Sequence, residues 1–118
     1  MEHVEFKQFE TMIKALSLSD SIPTNTKVII LGFESCPYYQ KAKRGTERIQ
    51  CWKNSTHFIP IGWDQSSDVK ESLGYSGSFP IVFVWHRSKG DYQHIGGGSD
   101  MKDLVDNLVK VSTKCPDL

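Results

Sequence analysis

The sequence has no Cys-x-x-Cys pair, no apolar run of membrane length and no excess of either charge. Its three cysteines, Cys36, Cys51 and Cys115, are an odd number without metal-ligand spacing, so neither a disulfide scaffold nor a zinc site is indicated, and at least one thiol is expected to be free. His3, His57, His86 and His94 show no metal spacing, and no metal role falls to them. No stretch approaches the roughly 18 apolar residues of a membrane span. The N-terminus, "MEHVEFKQFE", is acidic and amphipathic rather than signal-like, which makes a cytoplasmic, reducing compartment the expectation. Since 14 basic residues balance 14 acidic ones, global charge favours neither nucleic acid nor a membrane surface as partner. Internal repeats, linkers and low-complexity segments are absent too, and the tail "STKCPDL" is expected to fray.

What remains is 118 residues, 38% hydrophobic and 24% charged, enough for one globular domain spanning 1–118. Val4, Phe6, Phe9, Ile13 and Leu16 recur at close to helical spacing and predict an amphipathic helix to about Leu18, broken by "SDSIPTN". "KVIILGF" is short, β-branched and continuously apolar, as suits a central strand covered on both faces. Pro37 to about Trp52 reads as a polar helix weakened at Gly45. "HFIPIGW" reads as a second strand, and "SSDVKESLGYSG" as a short helix capped by Ser66 or Ser67 and stopped at Gly74. "SFPIVFVWH" and "YQHIGG" complete the strands around the turn "RSKGD", and "SDMKDLVDNLVKV" reads as a last helix. The order αβαβαββα implies an α/β domain with a mixed four-stranded sheet flanked by helices, its first strand pair parallel and its last an antiparallel hairpin.

The stretch that carries chemistry is "ESCPYYQK", residues 34–41. A thiolate is a far better nucleophile than a thiol, and its pKa must fall from about 8.5 for use at neutral pH. Cys36 at the first turn of a helix after a buried strand would meet unpaired backbone N–H groups and the positive end of the helix dipole. Pro37 suits the first helical position because it has no N–H to lose and its φ is already helical. The same spacing also fits a small buried cysteine at a strand end, and it does not decide between the two.

Two further stretches bear on that choice. "CPYY", "SFP" and "IGGGSD" together resemble the Cys-Pro-Tyr-Cys, Thr-Val-Pro and Gly-Gly-x-Ser-Asp motifs of the glutaredoxin family, in the family's order and over nearly the whole chain. The resemblance implies a thioredoxin-like fold in which Cys36 is the nucleophile and glutathione the co-substrate. It implies that Pro80 is a cis-proline beside the cysteine and that the Phe79 backbone binds the cysteinyl part of glutathione. By the same resemblance, Ser99 and Asp100 take the γ-glutamyl end, and Tyr38 walls the groove. A helix N-terminus opened by Ser and Asp after glycines is physically suited to that role, although Asp100 also reads as a simple N-cap.

The chain departs from the family at two positions. Tyr39 stands where a dithiol member has its second cysteine, and Phe33 where the family usually carries a glutathione-binding lysine. A continuous helix at about 1.5 Å per residue would set Cys51 roughly 22 Å from Cys36, against the 5 to 6 Å that a disulfide needs. Cys115 lies in the tail, whose course the sequence does not give. Losing a cation near a thiolate can forfeit one to three pKa units of about the usual opposite-charge effect; Lys41, Lys43 or Arg44 either compensate or are solvated surface. The implied activity is monothiol deglutathionylation of glutathionylated proteins, resolved by free glutathione, by a monomer rather than a dimer. The alternatives are a [2Fe-2S] carrier using Cys36 and glutathione in a dimer, and a catalytically weak binding module. Trp52, Trp63 and Trp85 are expected to pack in or beside the core.

Overall fold

The long apolar runs become strands because each has two faces to bury. The computed structural model describes residues 3–18, 21–48, 54–86 and 89–97. Its elements are β1 (His3–Val4), α1 (Phe6–Leu16), β2 (Val28–Gly32), α2 (Pro37–Arg48), β3 (Thr56–Pro60), a 3-10 turn (Trp63–Gln65), α3 (Ser66–Leu73), β4 (Ile81–His86) and β5 (Asp91–Gly97). The sheet order is β1-β5-β4-β2-β3, with β2 and β3 parallel and the remaining pairs antiparallel.

In β2, Ile29 and Leu31 join one buried cluster with Phe9, Ile13, Val69 and Leu73 of α1 and α3. Val28 and Ile30 join a second cluster with Tyr39 and Ala42 of α2. β4 repeats the division, with Ile81 and Phe83 in the first cluster and Val82 and Val84 in the second. The two-residue period of a strand thus places α1 and α3 on one face of the sheet and α2 on the other. Phe9 anchors the first layer, edge-on to Phe83 at 5.0 Å and to Tyr92 at 5.5 Å between ring centroids.

The sheet has five strands rather than the expected four. His3 and Val4 pair with Gln93 and Tyr92 of β5, so Val4 is a strand residue rather than the start of the helix. Its apolar side chain is buried in either arrangement, but the sheet edge also satisfies its backbone. α1 begins after Glu5, whose N–H donates to Gln8 Oε1 at 2.8 Å. It ends at Leu16, because Ser17 adopts the left-handed conformation.

Trp63 is not in the second strand. β3 stops at Pro60, and Gly62 leads into the 3-10 turn. α3 stops at Gly74 in the left-handed conformation, but Gln65 occupies its N-cap and neither serine caps it. Ser66 Oγ instead donates to the Trp63 carbonyl at 3.0 Å. The expected last helix, 99–111, lies outside the described residues. Among the described residues no helix is long and apolar enough to cross a membrane.

Tyr92 ties the sheet to the segment before β2. Its hydroxyl is buried and donates to the Thr26 carbonyl at 2.6 Å. Burial pushes its pKa up to about 12. An unfolded tyrosine ionises near 10, so the unfolded chain loses this proton first; the stability it confers is complete below pH 10 and declines as pH rises through 12. Tyr92→Phe should lower stability in urea denaturation at neutral pH by about 1–3 kcal/mol. It should also flatten the fall in stability between those two pH values.

Candidate functional site

The chain leaves β2 at Gly32 and turns sharply before α2. The Cys36 N–H donates to the Phe33 carbonyl at 3.0 Å, and the Cys36 carbonyl accepts the Gln40 N–H at 3.1 Å. Pro37 is the first helical residue, which makes Cys36 the N-cap. Gln40 Nε2 donates to the Glu34 carbonyl at 3.0 Å and braces the turn from the helix side. Cys36 is a free thiol, half-buried against the cluster on the α2 face. The arrangement places the Cys36 sulfur at the N-terminal end of α2.

Gly32 permits this geometry. A Cβ there would lie 2.6 Å from Tyr39 Cδ2 and 3.0 Å from Pro80 Cβ, so the end of β2, the first turn of α2 and the entry to β4 converge on one small space. The Phe79–Pro80 peptide bond is cis, and both residues are buried. Tyr75 closes the preceding loop, its hydroxyl donating to the Ser78 carbonyl at 2.7 Å.

Tyr39 is a core residue rather than part of the groove. It is 3% exposed and edge-on to Phe58 with centroids 5.8 Å apart. Desolvation, and then the Glu34 carboxylate, push its hydroxyl pKa up to about 12. Tyr38, by contrast, is exposed, with Lys41 Nζ 5.6 Å from its ring centroid. Lys43 lies 5.6 Å over Phe58. Both lysines are exposed, as is Arg44. Ser99, Asp100, Cys51 and Cys115 lie outside the described residues; of the expected set the structure describes Cys36 and Tyr38 at the start of α2, and Phe79 and Pro80 at the entry to β4, where Pro80 approaches Gly32.

Phe33 is built into an aromatic assembly. Trp63 stacks on it at 4.2 Å and 13°, and Phe79 meets it edge-on at 5.1 Å. Lys70 Nζ lies 5.5 Å from the Phe79 centroid. Trp63, expected in or beside the core, lies beside it: it is 76% exposed and packs on Phe33 at the edge of the first cluster. It forms one wall of an open groove of about 410 Å³, with Phe33, Glu34, Ser35, Ile61 and Gly62. Sequence reading overlooked this feature, although Pro60 and Gly62 signal a strand end and leave Trp63 beyond it. Among the described residues no cluster of three His, Cys, Asp or Glu side chains could hold a metal ion. No protein-family model matches the chain, and no curated protein matches it significantly.

The close approach at Gly32 has a measurable consequence. Gly32→Ala should destabilise the protein by about 1–3 kcal/mol through overpacking. Combined with Tyr39→Cys, which removes the ring, the same substitution should cost less, and a double-mutant cycle by urea denaturation reads that difference.

Proposed function

We propose that the chain is a glutathione-dependent thiol transferase of glutaredoxin type on a thioredoxin-like fold, acting through Cys36 alone. The observation that carries this reading is the position of Cys36. It caps α2 at the end of β2, the interior strand parallel to β3, and across Gly32 the chain enters β4 through Phe79 and Pro80. The mixed sheet, with helices on both faces, is compatible with the proposed fold.

In the proposed reaction the Cys36 thiolate attacks the glutathione sulfur of a protein mixed disulfide. The Cys36–glutathione bond forms as the substrate disulfide breaks, and the substrate leaves as a thiolate that takes up a proton. A second glutathione, as thiolate, then attacks the glutathione sulfur of the adduct and breaks its bond to Cys36. Oxidised glutathione leaves and the Cys36 thiolate is regenerated, so the two electrons that reduce the substrate come from glutathione. Tyr39 explains why the route needs only one protein thiol, since a buried ring occupies the position of a resolving cysteine. Phe79, Pro80, Ser99, Asp100 and Tyr38 are the proposed glutathione contacts, on the resemblance alone.

The second reading, a binding module with weak chemistry, is favoured by Phe33. Its ring, stacked on Trp63 and met edge-on by Phe79, stands where the resemblance places a cation. Turnover of a glutathionylated peptide, followed by formation of oxidised glutathione, separates the two. Wild type should turn over and Cys36→Ser should lose transfer to background. Equal rates in the two proteins would sink the transferase reading, and no turnover in either would favour the binding module.

A further inference from the structure

The groove beside Cys36 combines an aromatic face with negative charge. Trp63 uses one face of its indole against Phe33 and, at 76% exposed, turns the other to solvent. Glu34 is exposed and also lines the groove. The exposed Asp64 folds its carboxylate back toward Gly62, 2.7 Å from where a Cβ on that glycine would stand. Among the described residues, none that lines the groove is basic. The neighbouring lysines lie over other rings, Lys41 over Tyr38, Lys43 over Phe58 and Lys70 over Phe79.

The shelf is also held in place before any ligand arrives. The Ile61 N–H donates to the Gly32 carbonyl at 2.9 Å, and the Gln65 N–H to the Gly62 carbonyl at 3.0 Å. Gln65 Oε1 accepts the Gly62 N–H at 3.0 Å, while Gln65 Nε2 donates to the Leu16 carbonyl at 2.9 Å. These bonds anchor the turn that carries Trp63 to the ends of β2 and α1, so little ordering is left for binding to supply.

We infer that this groove recognises an arginine side chain beside the target cysteine of a protein partner, with the guanidinium stacked on Trp63 and drawn by the carboxylates of Glu34 and Asp64. A planar, weakly hydrated cation suits an open aromatic face next to acidic groups better than an anion or a neutral side chain does. The acidic rim likewise disfavours phosphates, so a nucleic-acid base is not the occupant. The inference deepens the transferase reading and rests on it for the chemistry at Cys36, whereas binding in the groove is independent of that chemistry.

The test uses short peptides whose central residue is serine in place of cysteine, flanked by arginine, alanine, phenylalanine or glutamate. Binding to the wild-type chain at up to millimolar peptide is read from the Trp63 indole N–H signal in NMR, assigned with Trp63→Phe. The arginine peptide should bind about three- to tenfold more tightly than the alanine peptide and weaken as salt is raised. Glu34→Gln should remove most of that preference. In the glutathionylated cysteine versions, kcat/KM should favour arginine over alanine in wild type, and Trp63→Ala should abolish the ratio. Failure of the arginine peptide to bind, or binding no tighter than that of the alanine or phenylalanine peptide, overturns the inference and leaves Cys36 transfer to stand on its own turnover. Arginine-selective binding without turnover upholds the groove and removes the transferase reading.

Discussion

Gly32 has no side chain, and three elements occupy the room this leaves. The Tyr39 ring comes down from α2, and Pro80 comes across from the entry to β4. Because only a hydrogen stands between them, α2 starts hard against the end of β2. The turn between the two then has just the length that the bond from the Cys36 N–H to the Phe33 carbonyl closes. A bulkier residue at the strand end would push the helix start away from the sheet, and with it the thiol at its N-cap. The site therefore depends on a contact in which Cys36 itself takes no part, in an interior packed too closely to absorb an added methyl group freely.

Around that contact, aromatic rings stand at the two positions where the resembled family has polar chemistry. Tyr39 is buried and contributes to the α2 face of the core. Phe33 extends the packing of Phe79 outward to Trp63, so apolar surface runs continuously from the first core to solvent beside the cysteine. On the proposed function, the substitutions shift recognition away from a small anionic tripeptide held by a lysine and toward the protein segment around its target thiol. Lys41, Lys43 and Lys70 lie over the rings of Tyr38, Phe58 and Phe79, and none of the three lines the groove.

Much of the architecture follows from local signals. The unbroken apolar runs of β2 and β4 mark strands covered on both faces, and Cys-Pro after such a strand marks a helix start. Gly74 marks a helix end because its left-handed conformation is costly for most other residues. The edge strand β1 was not legible: Val4 sits at helical spacing with Phe6 and Phe9, and only its pairing with Tyr92 makes it a strand. Ser66 and Ser67 are good capping residues by type, but the 3-10 turn already supplies the approach to α3 and takes the Ser66 hydroxyl for the Trp63 carbonyl.

The sequence by itself determined the α/β class, the parallel pairing of β2 with β3, the antiparallel hairpin of β4 and β5, and the place of Cys36 at the head of a helix. Each of these is written in residues close together along the chain, where periodicity and backbone preference act directly. Tertiary structure decided what surrounds that cysteine: that Tyr39 turns inward, that Phe33 joins Trp63 and Phe79, and that Trp63 remains exposed beside Glu34. The direction of a side chain depends on which distant strand or turn fills the space next to it, and no local pattern specifies that neighbour.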